Sequence, residues 1–207
     1  MHHGERFNGY THLAGTVLAV AGVVFLVSLP SVQNDFWRST SIYVYGATLC
    51  LLFLASTLYH GTQGAAKNFF RKLDHCSIYL VIAGTWTPFA LVTLHGAHGW
   101  TLFATVWGLA VLGVAQECWI AKGMRLTSLA IYLLMGWIAI FALEPLIKAL
   151  TWNGFAWLLG GGLVYTVGIV FYLYDERFKH WHGIWHLFVL AGSAAHYTAI
   201  LLFVAQR

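Results

Sequence analysis

The stretch SIYVYGATLCLLFLASTLYH, residues 41–60, decides the class of fold, because it is a long apolar run without Asp, Glu, Lys or Arg. Twenty helical residues are about 30 Å long, which matches the hydrocarbon core of a lipid bilayer. The run ends with Ser56 and His60, which are four residues apart and therefore share one face of a helix. The stretch predicts a membrane-spanning helix that carries polar side chains at one end.

The composition of the whole chain agrees with a lipid environment. Of its 207 residues, 59% are hydrophobic and only 9% are charged, whereas a soluble domain carries about 25% charged residues. The net charge of +4 is small, and no run of Lys and Arg with interleaved aromatic residues occurs. We therefore expect the lipid bilayer, and no nucleic acid, as a partner. The cysteines show no CxxC spacing, so we expect neither a disulfide framework nor a thiolate zinc site; they are Cys50, Cys76 and Cys118.

Six further apolar segments accompany residues 41–60, and short loops separate them. In lipid each backbone polar group needs a local partner, so we predict that all seven segments are helices. The sequence thus predicts an all-α integral membrane protein, a seven-transmembrane-helix bundle in which residues 1–207 form one domain. The segments are residues 11–29, 41–60, 73–94, 100–119, 126–143, 155–174 and 183–204.

The distribution of Lys and Arg predicts the orientation of the bundle. Eight of these residues fall on the side of the N-terminus and three on the other side, and cytoplasmic loops carry the excess. We therefore expect a cytoplasmic N-terminus, an external C-terminus and a location in the inner (plasma) membrane. The eight are Arg6, Lys67, Arg71, Lys72, Lys122, Arg125, Arg177 and Lys179, and the three are Arg38, Lys148 and Arg207.

Three polar patterns interrupt the apolar segments near one edge of the predicted bundle. Ser56 and His60 end the second helix, Asp74 lies at the start of the third, and His182 and His186 lie at the start of the seventh. The second helix ends on the cytoplasmic side and the other two begin there, so all five residues are predicted to share one depth. Ionisable groups within a span are costly and usually face the bundle interior. We therefore predict a single site at the cytoplasmic edge.

The residue types of this site favour zinc. Two histidines four residues apart on a helix can bind one ion, and His60 would supply a third imidazole. Three neutral histidines leave the fourth tetrahedral position of Zn²⁺ open, which is the form of a catalytic site. A carboxylate such as Asp74 can orient a water molecule or take its proton, and the hydroxyl of Ser56 can donate to a developing oxyanion.

Taken singly, each of these residues also has a plainer explanation. A histidine near a helix end is commonly interfacial or hydrogen-bonded to its neighbours. The hydroxyl of Ser56 can bond back to its own helix. Asp74 can cap the third helix or pair with Arg71 or Lys72. The combination at one depth is what favours a common site.

The chain resembles the hemolysin III family, the bacterial branch of the progestin and adipoQ receptors. The resemblance covers essentially the whole chain, from Gly4-Glu5-Arg6-Phe7-Asn8 and Thr11-His12 to the seventh helix. The S-x-x-x-H, D and H-x-x-x-H set is also similar to that of a wider superfamily that includes alkaline ceramidases. For the fold, the resemblance implies seven spans and a cytoplasmic N-terminus.

The resemblance also implies a site chemistry. It implies zinc held by His60, His182 and His186, with Asp74 as the acid beside the metal and Ser56 next to it. In relatives the implied activity is hydrolysis of a lipid amide, and the bacterial branch is linked to membrane-fluidity homeostasis. The hemolysin name implies pore formation.

Several functions stay open at this point. The first is a zinc-dependent intramembrane hydrolase whose substrate is a lipid amide or ester, and the second is a non-catalytic sensor or receptor with structural zinc. A pore needs polar lining through the full depth of the bilayer, whereas the middle of each segment is apolar. A haem protein with histidine axial ligands is a further alternative. The sequence indicates no oligomeric state and assigns no role to His12 or His196.

Overall fold

The computed structural model describes residues 5–120 and 125–206, so Lys122 and Arg207 of the charge count lie outside the described residues. The described chain is helical with short connections and contains no β-strand, which confirms the predicted all-α membrane fold. The helices are α1 (Arg6–Ser28), α2 (Pro30–Gln33), α3 (Phe36–Gly61), α4 (Gly64–Pro88), α5 (Gly96–Ala115), α6 (Arg125–Gly136), α7 (Leu143–Leu173) and α8 (Trp181–Ile200). π-Helical turns extend α4, α5 and α8 over Phe89–Leu94, Gln116–Ile120 and Leu201–Ala205, and the 3₁₀ segment Ile138–Ala142 joins α6 to α7.

Six helical stretches of the described chain are long and apolar enough to cross a membrane. One of them, Arg125–Leu173, has 49 residues, which is about 70 Å of helix and more than two bilayer cores. Thr151 interrupts it with non-helical angles, φ 64° and ψ 168°. Nε1 of Trp137 donates to Oγ1 of Thr166 at 3.0 Å across this break, so the two halves run antiparallel. The described chain therefore contains seven segments of membrane-crossing length. The number of actual crossings and the side of each terminus stay predictions.

Contacts between distant residues define the two ends of the bundle. At one end Glu5 pairs with His60, and Arg125 pairs with Asp175. At the other end Oγ of Ser31 donates to the carbonyl of Ala205 at 2.6 Å, and the rings of Trp37 and Trp100 meet with centroids 5.5 Å apart. We call the first end, which contains residues 5, 60, 125, 175 and 182, the histidine end. The residues that were predicted to share one depth lie at this end.

Two predicted helix boundaries were wrong. The third crossing helix begins at Gly64 rather than at residue 73, because exposed polar residues can continue a helix beyond the apolar segment into the headgroup region. The fifth segment does not end before Pro145, because this proline lies in the first turn of α7, where a missing backbone N–H breaks no helical hydrogen bond. Asp74 is therefore inside α4 and not at its N-terminus.

Candidate metal centre

Three histidines converge at the histidine end. One ring nitrogen from each of His60, His182 and His186 lies within 4.8 Å of the other two. The ring centroids are 5.2 Å apart for His60 and His182, 5.0 Å for His60 and His186, and 4.7 Å for His182 and His186. His60 and His186 are buried, and His182 is partly exposed. The arrangement is a nearly regular triangle, which suits one ion in its middle.

His60, in the last turn of α3, is held by the residue that precedes α1. Its Nδ1 lies 2.5 Å from Oε2 of Glu5, and the other carboxylate oxygen accepts a hydrogen bond from Nζ of Lys67 at 2.9 Å. A carboxylate only accepts, so Nδ1 carries the proton and Nε2 carries the lone pair. Nε2 of His60 is buried and has no hydrogen-bond partner among the described residues. This nitrogen is therefore free to bind a metal.

His182, in the first turn of α8, is oriented in the same way. Its Nδ1 lies 2.6 Å from Oδ2 of Asp175, whose other oxygen accepts from Arg125 at 2.8 Å. Asp175 and His182 flank the turn between α7 and α8, and the left-handed His180 (φ 69°) allows the chain to reverse there. The Nδ1 proton again points to a carboxylate, so Nε2 of His182 is the nitrogen left for a metal.

His186, one helical turn further along α8, is held by α1. Its Nδ1 lies 3.0 Å from the carbonyl oxygen of Asn8 and 3.2 Å from Oγ1 of Thr11. Donation to the carbonyl again leaves Nε2 as the nitrogen with a lone pair. All three rings thus have an acceptor at Nδ1, as metal-bound histidines almost always do. The donor set fits a metal ion.

The two carboxylates that hold the rings are charged. Burial alone would raise the pKa of Glu5, but hydrogen bonds from Lys67 and His60 outweigh it and lower the pKa to about 2. Burial also acts to raise the pKa of Asp175, and the contacts with His182 and Arg125 lower it below its usual range. Each ring therefore faces a charged acceptor or a backbone carbonyl.

Ser56 and Asp74 lie on the wall of a cavity of about 430 Å³ beside this triangle, together with His182 and His186. Oγ of Ser56 is buried and lies close to the carboxylate of Asp74, and it makes no hydrogen bond of ordinary geometry to a described residue. No ion pair joins the carboxylate of Asp74 to another described residue, so the predicted alternative of pairing with a neighbouring basic residue is not seen. The rest of the wall is mostly apolar and includes Leu52, Val81, Trp86, Leu129, Phe155 and Leu158.

Sequence reasoning missed three residues of this site. Glu5 and Asp175 were not assigned to the site. The scarcity of carboxylates was the available signal, because the chain has only seven acidic residues and these two lie near the predicted ends of helices that form the site. The third is His12, whose ring stacks on that of His186 with centroids 3.6 Å apart. His196 lines the same cavity but lies outside the three-histidine group, and its Nε2 lies 3.0 Å from the carbonyl oxygen of Leu158. The three cysteines are free thiols.

Fold and site together define a helical integral membrane protein with a largely buried three-histidine group at one end. The chain belongs to the family described as Haemolysin-III related, whose profile matches residues 1–197. This confirms the family resemblance seen in the sequence. The chain is 40% identical to Hemolysin-3 of Bacillus cereus over 201 residues, which covers 97% of this chain and 91% of the relative.

Further relatives extend the comparison. The chain is 39% identical to the Hemolysin-3 homolog of Bacillus subtilis (strain 168), with 98% of this chain and 95% of the relative covered. It is 30% identical to the monocyte to macrophage differentiation factor of Homo sapiens, with coverage of 93% and 81%. The similarity therefore reaches from bacterial to animal proteins.

Proposed function

We propose that this chain is a zinc-dependent hydrolase that cleaves an amide or ester bond of a membrane lipid. One observation carries the proposal. The three histidines each have Nδ1 held by an acceptor, which leaves three Nε2 atoms for one ion beside a largely apolar cavity. A structural metal ion needs no cavity beside it. A metal-dependent lipid hydrolase needs both the ion and an apolar cavity that binds the lipid.

The histidines would hold the metal as neutral ligands. Imidazole suits several transition metals, and three imidazoles with one open tetrahedral position are typical of catalytic zinc. A zinc ion in such a position polarises a carbonyl group and lowers the pKa of water. Glu5, Asp175 and the carbonyl of Asn8 would keep the ligands in one tautomer and one orientation.

Two further side chains of the wall have complementary roles. The carboxylate of Asp74 would orient the attacking water and accept its proton at a side-chain oxygen. The hydroxyl of Ser56 would donate a hydrogen bond to the carbonyl oxygen as negative charge develops on it. Ser56 is one turn before His60 on the same face of α3, so it lies about 6 Å deeper along the helix than the metal ligand. A lipid carbonyl would approach from this side with its chain still in the apolar cavity.

The cavity favours a lipid over a polar substrate. Its volume of about 430 Å³ is within the range of ligand pockets, and its wall is dominated by aliphatic and aromatic side chains. An acyl chain fits such a wall and displaces water from the reacting bond. The inner (plasma) membrane would supply the substrate, and cleavage of a membrane lipid is compatible with a role in lipid homeostasis.

The alternatives make different demands on the same residues. A haem with two histidine axial ligands would need two rings on opposite faces of a flat macrocycle, whereas the three centroids form a triangle with sides of 4.7, 5.0 and 5.2 Å. A sensor with structural zinc needs no turnover. A pore former, which the names of the bacterial relatives suggest for those proteins, needs no metal-dependent chemistry.

The test combines metal analysis with a substrate screen. Protein purified in detergent is analysed for zinc and incubated with a panel of N-acyl lipid amides and acyl esters, and product is measured by mass spectrometry. We expect about one zinc per chain, turnover of at least one amide or ester, and loss of both in His60→Ala. His98→Ala, an exposed histidine far from the site, should change neither. Zinc without any turnover favours the sensor, and stoichiometric haem contradicts the metal assignment.

A further inference from the structure

His12 of α1 is buried beside the metal centre, with 3% of its surface exposed. Its ring stacks on His186 with centroids 3.6 Å apart and planes inclined by 16°, and it meets the ring of Phe53 edge-on at 5.2 Å. Both ring nitrogens of His12 are buried, and neither has a hydrogen-bond partner among the described residues. No hydrogen bond of ordinary geometry therefore holds these nitrogens, although the backbone of His186 lies near the ring.

The other buried histidines behave differently. His60, His186 and His196 each have one ring nitrogen held by an acceptor. A neutral imidazole always carries one N–H, and burying it unpaired costs free energy that a phenylalanine of similar shape avoids. A residue needed only for stacking on His186 would not have to be a histidine. A histidine at this position therefore suits a partner outside the chain.

The cavity offers the place for that partner. His12 and Ser56 both line its wall, and neither side chain makes a hydrogen bond of ordinary geometry to a described residue, although the hydroxyl of Ser56 lies close to the carboxylate of Asp74. Phe53, which packs against His12, lies one turn before Ser56 on the same face of α3, so His12 packs on α3 about one turn from Ser56. A ligand carbonyl that binds against this part of the wall would take up the unused hydrogen-bonding capacity of both side chains.

We propose that His12 is a catalytic residue that donates its ring N–H to the carbonyl oxygen of the bound lipid, alongside the hydroxyl of Ser56. This inference rests on the proposed hydrolase function. The imidazole stays neutral and transfers no proton, and stacking on His186 fixes the direction of its N–H relative to the metal. Two uncharged donors aimed at one oxygen form the arrangement that stabilises an oxyanion.

The test compares two substitutions with opposite chemistry. His12→Phe keeps a flat ring against His186 and removes both nitrogens, whereas His12→Gln loses the ring and keeps an N–H. His98→Phe makes the first change at an exposed position of the opposite end. Zinc per chain, melting temperature, kcat and KM are measured with a fluorescent N-dodecanoyl lipid amide in detergent micelles. We expect His12→Phe to keep zinc and melting temperature while kcat falls about 10²–10³-fold with little change in KM. His12→Gln should recover part of kcat, and His98→Phe should match the wild type.

Two results would overturn the role of His12 and leave the hydrolase standing. One is a His12→Phe variant with full zinc and the kcat of the wild type, and the other is loss of zinc from His12→Phe, which would make His12 part of the metal shell. If the wild type cleaves no lipid amide or ester, the proposed hydrolase function is wrong. Binding of the same amide then decides whether His12 donates a hydrogen bond to the lipid. Weaker binding to His12→Phe than to the wild type and to His12→Gln then supports the hydrogen bond, and equal or absent binding overturns it.

Discussion

Oε2 of Glu5 lies 2.5 Å from Nδ1 of His60, so a carboxylate just before the first helix orients a candidate metal ligand at the end of the second crossing helix. The other oxygen of this carboxylate accepts from Lys67 at 2.9 Å. Three parts of the chain, the start of α1, the end of α3 and the start of α4, therefore meet at one side chain. The direction in which His60 presents Nε2 depends on this contact.

Removing the charge of Glu5 should weaken metal binding. Glu5→Gln replaces a charged acceptor by a weaker one, and loss of such a partner typically lowers metal affinity by about 10–100-fold. Competition with a chelator measures the effect. Glu144→Gln is the matched control, because Glu144 is exposed and, within the described part of the chain, forms its ion pair with Lys148 at 2.6 Å. Unchanged zinc affinity in Glu5→Gln would show that this contact does not orient His60.

Asp74 should matter for turnover more than for metal retention. Asp74→Asn keeps the shape of the side chain and removes the proton acceptor, so we expect zinc to stay while hydrolysis falls about 10²–10⁴-fold. Elemental analysis and rate measurements on the same preparation check this. A variant that loses zinc as fully as His60→Ala would make Asp74 a fourth ligand. The site would then be closed, which favours the sensor.

Ser56 should contribute to the rate of hydrolysis and not to the stability of the fold. Because its hydroxyl has no hydrogen bond of ordinary geometry, Ser56→Ala should keep zinc and melting temperature while hydrolysis falls about 10²–10³-fold. Ser41→Ala is the control, since Ser41 is equally buried on the same helix and its hydroxyl donates to the carbonyl of Arg38 at 3.0 Å. Wild-type rates in Ser56→Ala would exclude the oxyanion role.

The orientation of the bundle can be tested with reporter fusions. We expect a reporter after residue 207 to be external and a reporter inserted near residue 122 to be cytoplasmic, because the side of the N-terminus carries the excess of Lys and Arg. Enzymatic reporters active on only one side of the membrane distinguish the two. A cytoplasmic C-terminus would mean an even number of crossings and would contradict the predicted count.

Thr151 should be a site where glycine stabilises the protein. Its φ of 64° and ψ of 168° lie in a region that is nearly restricted to glycine, and such strain costs about 1–3 kcal/mol. Allowing for the greater freedom of glycine in the unfolded chain, we expect Thr151→Gly to gain about 1 kcal/mol. Thr105→Gly, in the interior of α5, should lose about 0.3 kcal/mol instead, the difference between the helix propensities of threonine and glycine. Thermal unfolding in one detergent compares them, and equal losses would contradict the strain.

The sequence predicted the parts of the site that follow from local periodicity. Ser56 with His60, and His182 with His186, are each four residues apart, and the alternation of crossings brings both pairs to one end. The start of α4 was not predictable from hydropathy, because residues 64–72 are polar enough to resemble a loop and remain helical in the structure. A change from apolar to polar residues indicates where a helix leaves the hydrocarbon core of the bilayer, and it does not indicate where the helix ends.

Contacts between residues far apart in the sequence could not be predicted either, because a local pattern does not report them. Glu5 and His60 are 55 residues apart, and His186 meets the carbonyl of Asn8 across 178 residues. Nothing in a local pattern specifies which carboxylate or carbonyl will face a given ring. The stacking of His12 on His186 likewise depends on how α1 and α8 pack.

The contact between α1 and α8 has a consequence for how the protein matures. His186 receives its acceptor from Asn8, so the last membrane helix to be synthesised is completed by the first. Two of the three proposed ligands, His182 and His186, lie on α8, and the third, His60, lies on α3, so an ion would have no full set of ligands until α8 is in place. On the proposed zinc function, we therefore expect metal acquisition to be a late event that follows the synthesis of α8. A nascent or truncated chain that ends before Trp181 would remain in the apo form, and zinc content would report the fraction of molecules whose biogenesis is complete.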